Sequence, residues 1–135
     1  MLITARIVCS VAALVFSTLA PLAWAQELAF TQAQADNGKA LYRETCQICH
    51  GSSLANGQFG TPLRGSFFQD KWKGKSLGEL LSFVYEKMPP DKLMSLTPAE
   101  YTAAVAYILS RNEIAASETA MDTNQQALAK VMLPW

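Results

Sequence analysis

Two cysteines and the only histidine of this 135-residue chain fall within one short run, Cys46-Gln47-Ile48-Cys49-His50. No other feature constrains the fold as strongly. Side chains three positions apart share one side of a helical turn, so both thiols point the same way and the histidine follows beneath them. Three other uses of these residues fit poorly. A thioredoxin-like redox pair belongs in an α/β setting, and no strand pattern is visible. A structural zinc site needs four ligands, whereas residues 26–135 hold two cysteines and one histidine. A disulfide between such close neighbours leaves His50 without a role.

What remains is the spacing of c-type haem attachment. In that arrangement Cys46 and Cys49 bond covalently to the vinyl groups on one edge of a single haem c, and His50 ligates the iron as proximal ligand. An iron that only passes electrons takes a sixth protein ligand, whereas a haem enzyme or sensor keeps that position open or displaceable. No second histidine exists, so methionine is the natural candidate. Met88, Met94, Met121 and Met132 lie beyond the N-terminal apolar segment. Met88 ends an amphipathic pattern and is held extended by Pro89 and Pro90, which points its thioether inward from a stiff loop. Met94 is the runner-up, and filling core space is the other use of such a side chain. A methionine opposite the histidine raises the reduction potential and keeps water off the iron. Electron carriage, rather than an enzymatic activity, is therefore expected.

The first residues belong to export rather than to the fold. Arg6 precedes an apolar run from Ile7 to Leu22, and Ala23-Trp24-Ala25 offers a small-x-small cleavage pattern. The run is shorter than the roughly 20 residues of a spanning helix. Residues 1–25 are thus expected to be a signal peptide that carries Cys9 away with it, placing the mature protein in the periplasm with no membrane span. Eleven basic residues balance eleven acidic ones, so no basic field exists to attract nucleic acid. Lys71, Lys73 and Lys75 cluster around Trp72; a solvated loop, docking to an acidic partner and contact with a haem propionate are all open to them.

Helix signals recur along the rest of the chain. Thr31 with Gln34, Ser76 with Glu79 and Thr97-Pro98 with Glu100 are capping boxes. They predict helices from about residue 32 to 46, from 77 to about 87, and from 98 to about 112. Residues 51–75 are glycine-rich and predict a loop, tolerable in a small domain only if it packs on a cofactor. Asp122 to Val131 predicts a short helix, and Leu133-Pro134-Trp135 a terminal tether. The reading is all-α: a cytochrome domain over residues 26–112 and a C-terminal extension over 113–135, the extension serving as a strap over the domain or as a partner-docking element.

With these positions identified, residues 35–112 resemble a class I c-type cytochrome. Gly38 and Tyr42 stand eight and four residues before Cys46, as in the family's first helix, and Tyr107 matches the aromatic of its last helix. The resemblance implies a small cytochrome c fold, its N- and C-terminal helices crossing and its loops wrapped around one covalent haem. Lys87-Met88-Pro89-Pro90 resembles the family's axial methionine loop. With Thr97-Pro98-Ala99-Glu100-Tyr101 it is similar to periplasmic cytochromes serving bacterial quinoprotein and alcohol dehydrogenases. That implies a dehydrogenase, a terminal oxidase or another cytochrome as redox partners. One departure stands out. The family commonly has Gly-Pro-x-Leu after the haem motif, with the proline carbonyl accepting from the proximal histidine; this chain reads Gly60-Thr61-Pro62-Leu63. The acceptor is then Thr61 or Pro62. Arg64 and Trp72 are the propionate donors that the resemblance suggests, with exposed loop roles as the alternative.

Overall fold

The computed structural model describes residues 27–135; the expected signal peptide and its cleavage point lie outside them. Five helices follow one another: α1 (Gln32–Thr45), α2 (Gln47–His50), α3 (Ser66–Trp72), α4 (Leu77–Lys87) and α5 (Pro98–Ser110). Among the described residues there is no strand, only an isolated antiparallel bridge between Ser76 and Met132. The fold is the small all-α cytochrome c fold.

All three capping boxes form in both halves. Thr31 Oγ1 accepts from the Gln34 amide, and the Thr31 amide donates to Gln34 Oε1. Glu79 and Glu100 likewise accept from the backbone amides of Ser76 and Thr97, each at 2.7 Å. These caps locate the helix starts; packing locates the helices in space. Gly38 makes the closest approach: a Cβ there would overlap the Ala103 carbonyl and Tyr107 Cβ. A larger residue would hold α1 away from α5, so the crossing depends on this one absent side chain. Tyr42 and Tyr107 stack across it with ring centroids 5.4 Å apart.

Two expectations need correction. The 51–75 segment is not all loop, because Ser66–Trp72 forms α3. Its N-cap is Gly65 at φ +76° with no side-chain cap, so no capping signature marked it in the sequence. What holds it is burial of Phe68 and Trp72 on one face. Residues 122–131 do not form a helix; they run as successive turns closed by bonds such as Leu128 N–H to the Asn124 carbonyl and Val131 N–H to the Leu128 carbonyl.

The tail packs as a strap. Met121, Leu128, Val131 and Leu133 are buried in the same cluster as Leu77, Leu80 and Leu81 of α4. Leu77 and Gly78 amides donate to Val131 and Leu128 carbonyls, and the Leu133 amide donates to Lys75. The bonds from Leu77 and Gly78 satisfy first-turn N–H groups of α4 that a helix cannot satisfy internally. At its other end Gln34 clasps Met121 twice, accepting from its amide at 2.8 Å and donating to its carbonyl at 3.0 Å. Each fully buried aliphatic contributes about 1.5–3 kcal/mol, more than any one cap, so the strap is held chiefly by its apolar side chains.

Candidate haem-binding site

One residue in right-handed helical conformation, Cys46, separates α1 from α2. Cys46 closes α1 by donating to the Tyr42 carbonyl at 2.9 Å, and its own carbonyl accepts from His50 N–H at 3.0 Å as α2 begins. Cys46 and Cys49 are both half-buried free thiols, not a disulfide. Burial, reinforced by the neighbouring Cys49, pushes the Cys46 thiol up to about 11. A redox-active pair requires the opposite, a thiolate stabilised near neutral pH; the reading as a thioredoxin-like pair loses its chemistry here.

His50 is only 8% exposed. Its Nδ1 lies 2.7 Å from the Thr61 carbonyl, so a neutral ring carries its proton on Nδ1 and leaves Nε2 as a lone-pair donor. Thr61, the residue just before Pro62, is thus the acceptor in this chain's altered motif. The loop reaches that position because Gly60 passes so close to the imidazole that a Cβ would overlap the ring. Gly57 is equally tight against the Cys49 carbonyl. Two glycines therefore permit the contact that fixes the histidine's tautomer.

His50, Cys46 and Cys49 line a cleft of about 760 Å³. Its far walls are α3, α4 and α5, which contribute Phe68 and Trp72, Leu80, Phe83 and Val84, and Tyr101, Ala104 and Ile108. A volume in the range of about 300–1,000 Å³, mostly apolar with a few placed polar groups, is what a cofactor pocket presents. Met88 lines this cleft; Met94, Met121 and Met132 do not. Met94 is 61% exposed, Met121 is buried as part of the strap, and Met132 is exposed. Met88 caps α4 in an extended conformation, its N–H bonded to the Val84 carbonyl. Its carbonyl accepts from the Tyr101 hydroxyl at 2.9 Å. One nitrogen and one thioether sulfur thus border a single apolar cleft that has two thiols at its edge. This donor set fits a haem: a soft and an imidazole ligand for iron, and thiols for its vinyl groups.

The two expected propionate donors separate. Trp72 is buried in the cleft wall, edge-on to Phe83 at 5.5 Å. Arg64 is exposed and outside the lining. Two residues that position the site were not legible in these roles. Tyr101 lies on the buried face of α5, and nothing local to it in the sequence announces that its hydroxyl reaches back to Met88. Asn112 lies just past the end of α5. It is buried, donates to the Leu63 and Ile108 carbonyls at 2.9 Å each, and accepts from the Gly65 amide at 3.0 Å. It thereby ties the histidine-side loop to the end of α5.

Such a helical frame around a Cys-x-x-Cys-His turn and an apolar cleft defines a c-type cytochrome domain. A family model described as cytochrome c oxidase, cbb3-type, subunit III matches residues 33–108, and the chain belongs to this family. The match runs from α1 into α5. It makes the chain an electron-transfer haem protein of the c type. No curated protein and no solved structure matches the chain significantly.

Proposed function

We propose that this chain is a periplasmic, monohaem class I c-type cytochrome that carries single electrons between redox proteins. The observation that carries the reading is the convergence of His50 and Met88, alone among the described histidines and methionines, on the cleft edged by Cys46 and Cys49. The bound haem supplies a reversible one-electron iron couple. The chain's residues do the rest. Cys46 and Cys49 anchor the haem as thioethers, and one such cysteine pair serves one haem. His50, oriented through Thr61, and Met88, oriented through Tyr101, would be the two protein ligands that hold the iron, which would leave no place for a substrate. The apolar walls exclude water and favour the less charged, reduced state.

The apolar run before Ala25 supports export, and no described helix is long and apolar enough to cross a membrane. A dehydrogenase as electron donor, with an oxidase or a second cytochrome as acceptor, suits a carrier of this kind. The carrier reading requires three results from the mature protein isolated from the periplasm. Its mass should exceed that of residues 26–135 by one haem, and the haem should resist extraction by acidified organic solvent. Reduced protein should be indifferent to carbon monoxide. Rapid carbon monoxide binding would instead reveal an open or displaceable sixth site, as in a haem enzyme or gas sensor.

A further inference from the structure

Helix α3 makes one wall of the cleft, yet little in α3 itself holds it there. Its seven residues are too few for a helix to persist on propensity alone, and no side chain caps its start. Its supports come from further along the chain. Asn112 accepts from the Gly65 amide before it, and the Leu133 amide donates at 3.0 Å to the carbonyl of Lys75 just past it. The bridge between Ser76 and Met132 and the burial of Leu133 fix the register of this last strap segment. Trp135 then lies edge-on to Phe68, with ring centroids 5.6 Å apart and planes at 75°. Phe68 is buried and lines the cleft, whereas Trp135 is half-buried and does not line it. Trp135 therefore backs the wall. It also lies outside residues 33–108, the part of the chain that the cytochrome family model matches.

We infer that Trp135 is a positioning residue of the haem cleft: it holds Phe68 forward, keeps water from the cofactor and so raises the reduction potential. The inference rests on the haem reading above and gives the strap a part in the redox function of the domain. Edge-to-face aromatic pairs favour one mutual geometry, so the indole limits where the Phe68 ring can go. Removing the indole opens a void behind Phe68, and neighbouring side chains relax part of the way into such a void. The ring then withdraws from the cleft and water gains access. Oxidised haem iron carries one more positive charge than reduced iron, and water stabilises the more charged state. The potential falls. A Trp135 that only fastened the strap would alter stability and leave the potential alone.

The test is the midpoint potential of holoprotein carrying Trp135→Ala, with Trp135→Phe, Met121→Ala and Phe68→Leu for comparison. Trp135→Leu reads the same shift if Trp135→Ala fails to take up haem. Met121 is buried elsewhere in the strap and does not line the cleft, so Met121→Ala weakens the strap alone. The expected result is a potential lowered in Trp135→Ala, largely restored in Trp135→Phe and unchanged in Met121→Ala. In a Phe68→Leu background Trp135→Ala should add little further shift, because both substitutions act through one ring. A Trp135→Ala potential that matches Met121→Ala, with only the denaturation midpoint lowered, overturns the inference. An undiminished shift in the Phe68→Leu background overturns it as well. A wild-type chain that carries no haem instead removes the underlying reading, a failure visible in the absorption spectrum before any potential is measured.

Discussion

Helix α5 takes part in two contacts that are built on opposite terms. Toward α1 it offers Ala103 and Tyr107, and the Ala103 carbonyl sits where a side chain on Gly38 would be. Toward the cleft it offers Tyr101, Ala104 and Ile108. The crossing is specified by exclusion: nothing larger than hydrogen fits, and no functional group is involved. The cleft is specified by donor chemistry: a nitrogen, a thioether and two thiols around an apolar volume. One helix can serve both because the Ala103 carbonyl and Tyr107 face Gly38 of α1, while Tyr101, Ala104 and Ile108 face the cleft. The crossing should therefore fail through sterics and the cleft through chemistry.

The largest expected effect is on the chemical side. Replacing both Cys46 and Cys49 by alanine should abolish haem retention in denaturant, read by the absorbance that stays with the chain after unfolding and gel filtration. On the steric side, Gly38→Val should cost about 3 kcal/mol, the upper end for overpacking. Holoprotein denaturation should show it as a lowered midpoint with its iron ligation unchanged. Tyr101→Phe perturbs the cleft more lightly. It removes the hydroxyl that holds the Met88 carbonyl and should cost about 1 kcal/mol, while broadening the oxidised spectrum through a less fixed sulfur.

Much of this contrast can be read in the sequence, and the limits have physical causes. The motif at Cys46–His50 is local chemistry, so its neighbours suffice to interpret it. The three capping boxes are local as well, and the helix starts at Gln32, Leu77 and Pro98 follow from them. Helix α3 has no such local mark, because glycine precedes it and tertiary burial of Phe68 and Trp72 supports it. The strap from 113 to 135 takes its shape from distant partners, Gln34 and the first turn of α4. The sequence predicts a short helix over 122–131, whereas pairing with α4 imposes turns. Arg64 illustrates the same limit: proximity in sequence to the haem loop did not bring it to the cleft.

The smallest effect concerns acid. Glu79 and Glu100 have carboxyls held below the usual carboxylate range, first by the backbone N–H groups of Ser76 and Thr97 that they accept from. A folded value below the unfolded one means that the stabilisation is present above the unfolded carboxylate pKa of about 4.3. It is lost as the pH falls through the lower, folded value. Denaturation midpoints measured between pH 5 and pH 3 should fall with acid, and less steeply in a Glu79→Gln, Glu100→Gln double variant. Ser76→Ala, which removes one side-chain cap outright, should cost about 1 kcal/mol.

The cleft's claim to hold a two-ligand iron is tested most directly by the visible and near-infrared spectrum of oxidised Met88→Ala beside that of the wild type. The wild type should show the methionine-to-iron charge-transfer band of a low-spin ferric haem. Met88→Ala should lose that band and become high-spin or reactive toward carbon monoxide when reduced, whereas Met94→Ala should not change. An unaltered low-spin spectrum in Met88→Ala, or a high-spin spectrum in the wild type, would contradict the pairing of His50 with Met88.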